Sequence, residues 1–270
     1  MRRQIKDKTI IITGASAGIG AATALACADE GLNLVLNARR EDRLRAVADQ
    51  VAQRGRPVEL VVGDVTEPGL SERLLDAAQA RFGRFDIVLA NAGYGLSRPI
   101  HELAEADLRR IFDVNFFSAT ALLREAARRL LAERRRGHLL MTSSSISKFT
   151  LPEFAAYSST KAAQNHVCRA MHMELRRHGI DVSSVHPITT TTEFFDVAAE
   201  LSGRPASEAG PAHRVPRFFR QTPEQVARAI IACLRRPKVE VWTSTTVRIL
   251  CGVVTVFPSL LDVLVGVRPR

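Results

Sequence analysis

Between Thr9 and Gly20 the chain reads T-I-I-I-T-G-A-S-A-G-I-G, and no other stretch limits its fold so strongly. Thr9–Thr13 is β-branched throughout, which suits a strand buried on both faces. Gly14 ends the run, Gly18 and Gly20 follow, and Ala21–Glu30 is rich in helix formers. A buried strand, a glycine turn and a helix start are the first half of a βαβ unit, because parallel strands need a crossover between them. Such a turn aims backbone N–H groups and a helix N-terminus at one point, as phosphate binding requires. The spacing differs from G-x-G-x-x-G, with three residues between the first two glycines and one between the last two. An ordinary glycine-rich βα turn is the competing reading.

Strand-like and helix-like stretches alternate from Thr9 to Trp242. The alternation predicts an α/β fold: a single doubly wound parallel sheet, Rossmann-like, with helices on both faces. Asn33–Ala38 is a second strand, and Arg39 and Arg40 stand where an acidic residue would bind a ribose diol. Two guanidinium forks there suit a 2′-phosphate, so NADP(H) is expected over NAD(H). Both arginines could instead simply open the solvated helix running through Glu41–Arg54. Val58–Gly63 leads into Asp64-Val65, and Asp86–Ala90 leads into Asn91-Ala92-Gly93. Ligands of open α/β sheets lie beyond the carboxyl ends of strands, which makes Asp64 a candidate for an adenine amine. Asn91 has two open readings, a cofactor contact and a turn residue tying strand ends together.

Tyr157 and Lys161 sit four residues apart in Y-S-S-T-K, on one face of the helix expected around Phe154–His178. A free phenol titrates near pH ~10, and an adjacent cation is expected to lower that value and ready the tyrosine for acid–base work on an alcohol or carbonyl.

Taken together, these motifs resemble the short-chain dehydrogenase/reductase family over roughly residues 7–242: T-G-x-x-x-G-x-G at Thr13–Gly20, N-A-G at Asn91–Gly93, D-V-N-F-F-S around Asn115, T-S-S-S-I-S around Ser144, and Tyr157 with Lys161. The resemblance implies a catalytic tetrad of Asn115, Ser144, Tyr157 and Lys161. Tyr157 would exchange the proton, and Lys161 would tune it and hold the nicotinamide ribose. Ser144 would bind the substrate oxygen, and Asn115 would anchor a water reaching Lys161. Because Ser143 and Ser145 flank Ser144, its assignment rests on register. Cofactor contacts are implied at Gly14, Ser16, Gly18, Ile19 and Gly20, at Arg39, Arg40, Asp64 and Val65, and at Asn91, Ala92 and Gly93. Further contacts are implied at Tyr157, Lys161, Pro187 and Thr192. Two positions depart from the family pattern: Ser147 and Ile188 stand where glycine is usual. The implied activity is NADP(H)-dependent interconversion of an alcohol and a ketone or aldehyde. Alternatives are an NADP-binding regulator or scaffold without turnover, and a membrane-surface reductase of lipid-like substrates.

With 270 residues, 46% of them hydrophobic, and no repeat or linker, one domain over 1–270 is expected. It would carry a substrate lid at about 189–220 and an apolar extension at about 243–270. The lid holds Phe194, Phe195, His213, Phe218 and Phe219, and Tyr94 is another candidate wall of the pocket. The aromatics suit a large apolar alcohol or ketone, or equally pack the lid to the body. The resemblance implies a homodimer or homotetramer, and Val167 and Met171 face either a partner or the chain's own core. Ile249–Val267 is apolar but holds Asp262 and Pro258. The expected order is packing on a partner subunit or lid, then shallow membrane contact, then a span. Four dispersed cysteines and seven histidines lack metal-ligand spacing, so no metal is expected. Without a signal peptide, a cytoplasmic setting is the default expectation. A net charge of +10 is spread over several helices and matches no nucleic-acid motif, so no nucleic-acid partner is expected.

Overall fold

The structure is a computed structural model describing residues 2–191, 198, 220–264 and 266. Strands β1 (Thr9–Thr13), β2 (Asn33–Ala38), β3 (Val58–Val62), β4 (Ile87–Ala90), β5 (Gly137–Thr142), β6 (Ile180–His186) and β9 (Glu240–Trp242) form one sheet. Its order is β3-β2-β1-β4-β5-β6-β9, and every pairing is parallel. The expected doubly wound sheet is therefore present, with its order reversing between β1 and β4.

Strand alternation divides the core in two. Ile10, Ile12, Leu34, Leu36, Leu89 and Leu140 face one side, while Ile11, Val35, Val88, Leu139 and Met141 face the other. The first side is covered by α1 (Gly18–Asp29), α2 (Glu41–Gln53) and α7 (Pro223–Arg235), which bring Ala24, Cys27, Leu44, Val47, Val226 and Ile230. The second is covered by α3 (Leu70–Phe82), α5 (Ser118–Ala132) and α6 (Ala155–Leu175), with Leu74, Leu75, Leu122, Leu123, Cys168 and Leu175. Ile10, Ile11 and Ile12 are fully buried, and each contributes about 1.5–3 kcal/mol by leaving water.

The predicted helices differ from the observed ones at informative ends. The helix expected over Ala104–Val114 is α4 (Glu105–Phe112), and it runs through a π turn at Asp113–Phe117 straight into α5. The helix expected from Ser118 to Arg136 stops at Ala132, because Arg134 takes a left-handed backbone (φ 52°) on the way into β5. Phe154–His178 ends as a 3₁₀ turn, Arg176–His178.

A two-residue ladder joins β7 (Thr189–Thr190) to β8 (Arg220–Gln221), reinforced by Gln221 Nε2 donating to Thr190 Oγ1 at 2.9 Å. It pins both ends of the segment expected to be a lid. Phe194, Phe195, His213, Phe218 and Phe219 lie outside the described residues. Beyond β9, α8 (Thr245–Val256) and α9 (Ser259–Leu264) are separated at Pro258. Among the described residues no helix is long and apolar enough to cross a membrane. α8 buries Val247, Cys251 and Val254, whereas Ile249, Val253, Val256, Phe257, Leu260 and Val263 are exposed.

Candidate active site

The carboxyl ends of β1, β4, β5 and β6 open on one edge of the sheet, where the sequence motifs meet. Gly14 (φ 66°) and Gly18 (φ 55°) take left-handed backbone that a side chain disfavours. A methyl at Gly14 would lie 2.9 Å from Ala92 Cα, and one at Gly20 would run into the Gly14 carbonyl oxygen. The turn is thus packed backbone to backbone against N-A-G. α1 begins after Ala17 with no side-chain cap, leaving first-turn N–H groups of the helix for an anion. This cradle fits a pyrophosphate. Ser16 and Ile19 are half-buried in it, and Ile19 packs on the first core.

Asn91 ties strand ends together. Its Nδ2 donates to the Thr13 carbonyl at 3.1 Å, its Oδ1 accepts from Thr142 Oγ1 at 3.0 Å, and its backbone N–H donates to Thr13 Oγ1 at 3.0 Å. The Ala92 N–H reaches the same Thr13 oxygen at 3.1 Å. A methyl at Gly93 would lie 2.9 Å from Asn115 Oδ1 and 3.6 Å from Lys161 Nζ, so the glycine turn, N-A-G, Asn115 and Lys161 are contiguous.

At the β2 and β3 ends, Arg39 and Arg40 are exposed. Asp64 accepts from Thr66 N at 3.0 Å, Thr66 Oγ1 at 2.8 Å, Arg110 Nη2 at 2.7 Å and Arg39 Nη1 at 3.5 Å. Partial burial opposes ionisation, yet the Thr66 bonds and the Arg110 and Arg39 cations hold its carboxyl below the usual range. Val65, next along, is half-buried against the second core. Arg110, from α4, escaped the sequence reading, since nothing local links it to a residue 46 positions earlier.

After β5 the three serines separate. Ser143 is buried and donates to the Lys161 carbonyl at 2.9 Å. Ser144 caps the short turn Ser145–Lys148 and hydrogen-bonds the Tyr157 side chain. Ser145 binds by its backbone N–H to the Pro187 carbonyl at 2.9 Å. The structure therefore brings Ser144, of the three, to Tyr157.

Tyr157 and Lys161 share one side of α6, with Nζ 5.6 Å from the phenol ring centre. Lys161 Nζ donates to the Thr142 carbonyl at 2.8 Å and to Gln164 Oε1 at 3.2 Å. One expectation is overturned here. Burial pushes the Tyr157 phenol up, with the Ser144 hydrogen bond opposing it, so the predicted lowering by Lys161 is absent. Burial pulls Lys161 itself down to about 7. Its Nζ is directed at the oxygens of Thr142 and Gln164.

Asn115 sits in the π turn, fully buried. Its Oδ1 accepts from Tyr94 N and its Nδ2 donates to Tyr94 O, both at 2.9 Å, and Nδ2 also reaches Thr160 Oγ1 at 3.3 Å. Gln164 Nε2 donates to the Asn115 carbonyl. A glutamine amide thus bridges the Asn115 carbonyl and Lys161, and Asn115's polar atoms clamp the Tyr94 loop to α6. Gln164, one turn beyond Lys161, carried the helical spacing that could have revealed it. Neither departure from glycine strains the backbone: left-handed non-glycine residues among those described are Asp7, Arg134 and Glu153. Thr192 lies outside the described residues. Val167 and Met171 pack partly against the second core, while Met173 and Phe117 are exposed.

A glycine cradle beside a buried phenol, a buried lysine and a half-buried hydroxyl is suited to moving a proton next to a bound nucleotide. The profile of the short chain dehydrogenase family matches residues 8–201, and the chain belongs to this family of oxidoreductases. It is 30% identical over 260 residues to 3beta-hydroxysteroid dehydrogenase 1 of Eggerthella lenta, across 96% of this chain and 98% of that one. A short-chain dehydrogenase/reductase of Burkholderia phymatum, solved with NAD, superposes with a TM-score of 0.84 at 24% identity, covering 99% of this chain and 98% of that one. One from Sphingobium yanoikuyae, solved with NADPH, gives 0.77 at 25% identity and 97% of each chain.

Proposed function

We propose that the protein is an NADP(H)-dependent oxidoreductase that interconverts an alcohol and a ketone or aldehyde. The observation carrying this reading is the contiguity of Ser144, Tyr157 and Lys161 with the glycine cradle, through Gly93 and Asn115. Gly14, Ser16, Gly18, Ile19 and Gly20 would hold the dinucleotide's phosphates, with Asp64 and Val65 beside the adenine. Arg39 and Arg40 would hold a 2′-phosphate. Asn91, Ala92 and Gly93, with Tyr157, Lys161, Pro187 and Thr192, would line the nicotinamide half. A dinucleotide held there supplies or accepts the hydride.

The chain's own residues handle the proton. In reduction, Tyr157 Oη donates it to the oxygen of the carbonyl being reduced, and the protonated state favoured by burial suits that donor role. Ser144 Oγ hydrogen-bonds the same oxygen and supports the charge developing on it. Lys161, fixed by Thr142 and Gln164, stands behind the phenol as the cation compensating phenolate after transfer. In oxidation the same atoms act in reverse.

Around Tyr157 a third apolar cluster joins Leu96, Ile111 and Ile146 with half-buried Tyr94, Phe149, Leu151 and Phe154. That surface, and the steroid named for the Eggerthella lenta relative, support a bulky apolar substrate. A homodimer or homotetramer would use the exposed Phe117 and Met173 beside the partly buried Val167 and Met171.

The test is NADPH oxidation against aldehydes, ketones and ketosteroids, with NADH in parallel and Tyr157→Phe as control. Turnover with NADPH that Tyr157→Phe abolishes, with cofactor affinity unchanged, is expected. Equal turnover in Tyr157→Phe would remove the mechanism; preference for NADH would remove the role given to Arg39 and Arg40.

A further inference from the structure

His186 ends β6 immediately before Pro187-Ile188, fully buried, and takes no part in the proton transfer described above. Its Nδ1 lies 3.0 Å from the backbone carbonyl oxygen of Ser144 and 3.2 Å from Ser147 Oγ. Its Nε2 lies 2.8 Å from Ser184 Oγ. A carbonyl oxygen only accepts, so Nδ1 carries the proton, and Nε2 accepts from the Ser184 hydroxyl. The reverse tautomer would face the Nδ1 lone pair against the carbonyl. The ring stacks on Trp242 with centroids 4.6 Å apart and planes 9° apart, which fixes its orientation.

The contacts continue in a closed circuit. Trp242 Nε1 donates to Glu240 Oε2 at 3.0 Å, and Glu240 Oε1 pairs with Lys148 Nζ at 2.6 Å. Lys148 is the last residue of the turn that Ser144 caps. Both ends of Ser144–Lys148 are thereby held, one from the carboxyl end of β6 and the other from the first residue of β9. Ser147, at one departure from the family's glycines, puts its hydroxyl on the histidine that precedes the other departure, Ile188.

We propose that His186 is a positioning residue for Ser144. By gripping the Ser144 carbonyl, it sets the peptide plane and thus the direction in which Oγ meets Tyr157 and the substrate oxygen. An extended residue at a turn entrance (φ −166°, ψ 159°) has neighbouring peptide orientations available, and the histidine hydrogen bond, added to that of the Ser147 N–H at 3.1 Å to the same carbonyl, selects one. The proposal rests on the alcohol–carbonyl reading for its catalytic consequence, but not for its structural claim.

Two measurements test it. In the full-length protein, ¹⁵N NMR of the histidine rings, with His186 assigned by its loss in His186→Asn, should show a neutral Nδ1–H tautomer. A Nε2–H tautomer overturns the proposal. In steady-state kinetics, His186→Leu removes the donor and should lower kcat about tenfold with cofactor Kd unchanged, the equivalent of one hydrogen bond. His186→Asn keeps an amide N–H at the same bond distance from the backbone as Nδ1, and should recover most of the loss. Wild-type kcat in His186→Leu, or an equal loss in His186→Asn, overturns the positioning role. Should His186→Leu not fold, the tautomer and the kcat of His186→Asn decide. A wild-type protein inert toward every carbonyl compound sinks the reading of the reaction and leaves the tautomer result standing.

Discussion

Replacing Lys161 by methionine would expose an energetic consequence of the site without any substrate. Burial lowers this lysine from 10.5 to about 7 in the folded chain. Between those values the unfolded chain binds the proton and the folded chain does not, so stability rises with pH across that window. The full shift corresponds to about 5 kcal/mol, and roughly 3 kcal/mol of it falls between pH 6 and 9.5. The hydrogen bonds lost to Thr142 and Gln164 lower the variant's stability by an offset that cancels when slopes are compared. Urea unfolding at several pH values, followed by the fluorescence of the single tryptophan, gives wild-type minus Lys161→Met stability. That difference should climb by about 3 kcal/mol from pH 6 to 9.5. Gln164→Glu, which places a carboxylate beside Nζ, should raise the lysine's pKa and flatten the climb. Parallel wild-type and Lys161→Met curves would refute the claim that an uncompensated ammonium is buried here.

Two further outcomes follow from the turns around the cleft. Gly20→Ala places a methyl against the Gly14 carbonyl, and should cost about 1–3 kcal/mol and weaken cofactor binding, read as a lower Tm and a higher Kd. Among single alanine variants of the three serines, Ser144→Ala should lose the most turnover. Ser143→Ala should instead lower stability by about 1 kcal/mol through its lost bond to the Lys161 carbonyl, and greater turnover loss there would contradict the Tyr157–Ser144 pairing.

What was legible in the sequence was what local pattern encodes. The β-branched run Thr9–Thr13, the glycines after it and the spacing of Tyr157 and Lys161 each act within one element or one turn, so the parallel sheet and the shared helix face could be read directly. The missed features depend on distant partners. Arg110 with Asp64, His186 with Trp242, and Gln164 with Asn115 are brought together only by the sheet order and helix packing. The sign of the Tyr157 shift escaped for the same reason: proximity to Lys161 is local, while the burial that outweighs it is collective. Val167 and Met171 read as surface or core on helical spacing alone, and only packing against the second core separated them from Met173.

The π turn at Asp113–Phe117 inserts an extra residue between two otherwise regular stretches of one rod and so shifts the phase of the second. Before it, Leu108, Ile111 and Phe112 point into the pocket-side cluster with Tyr157; after it, Ala119, Leu122, Leu123 and Ala126 point into the sheet. A single continuous helix thereby wets its apolar stripe on two different interiors. Removing one residue from the bulge would put the halves back in phase, forcing the chain to choose between lining the cleft and sealing the sheet.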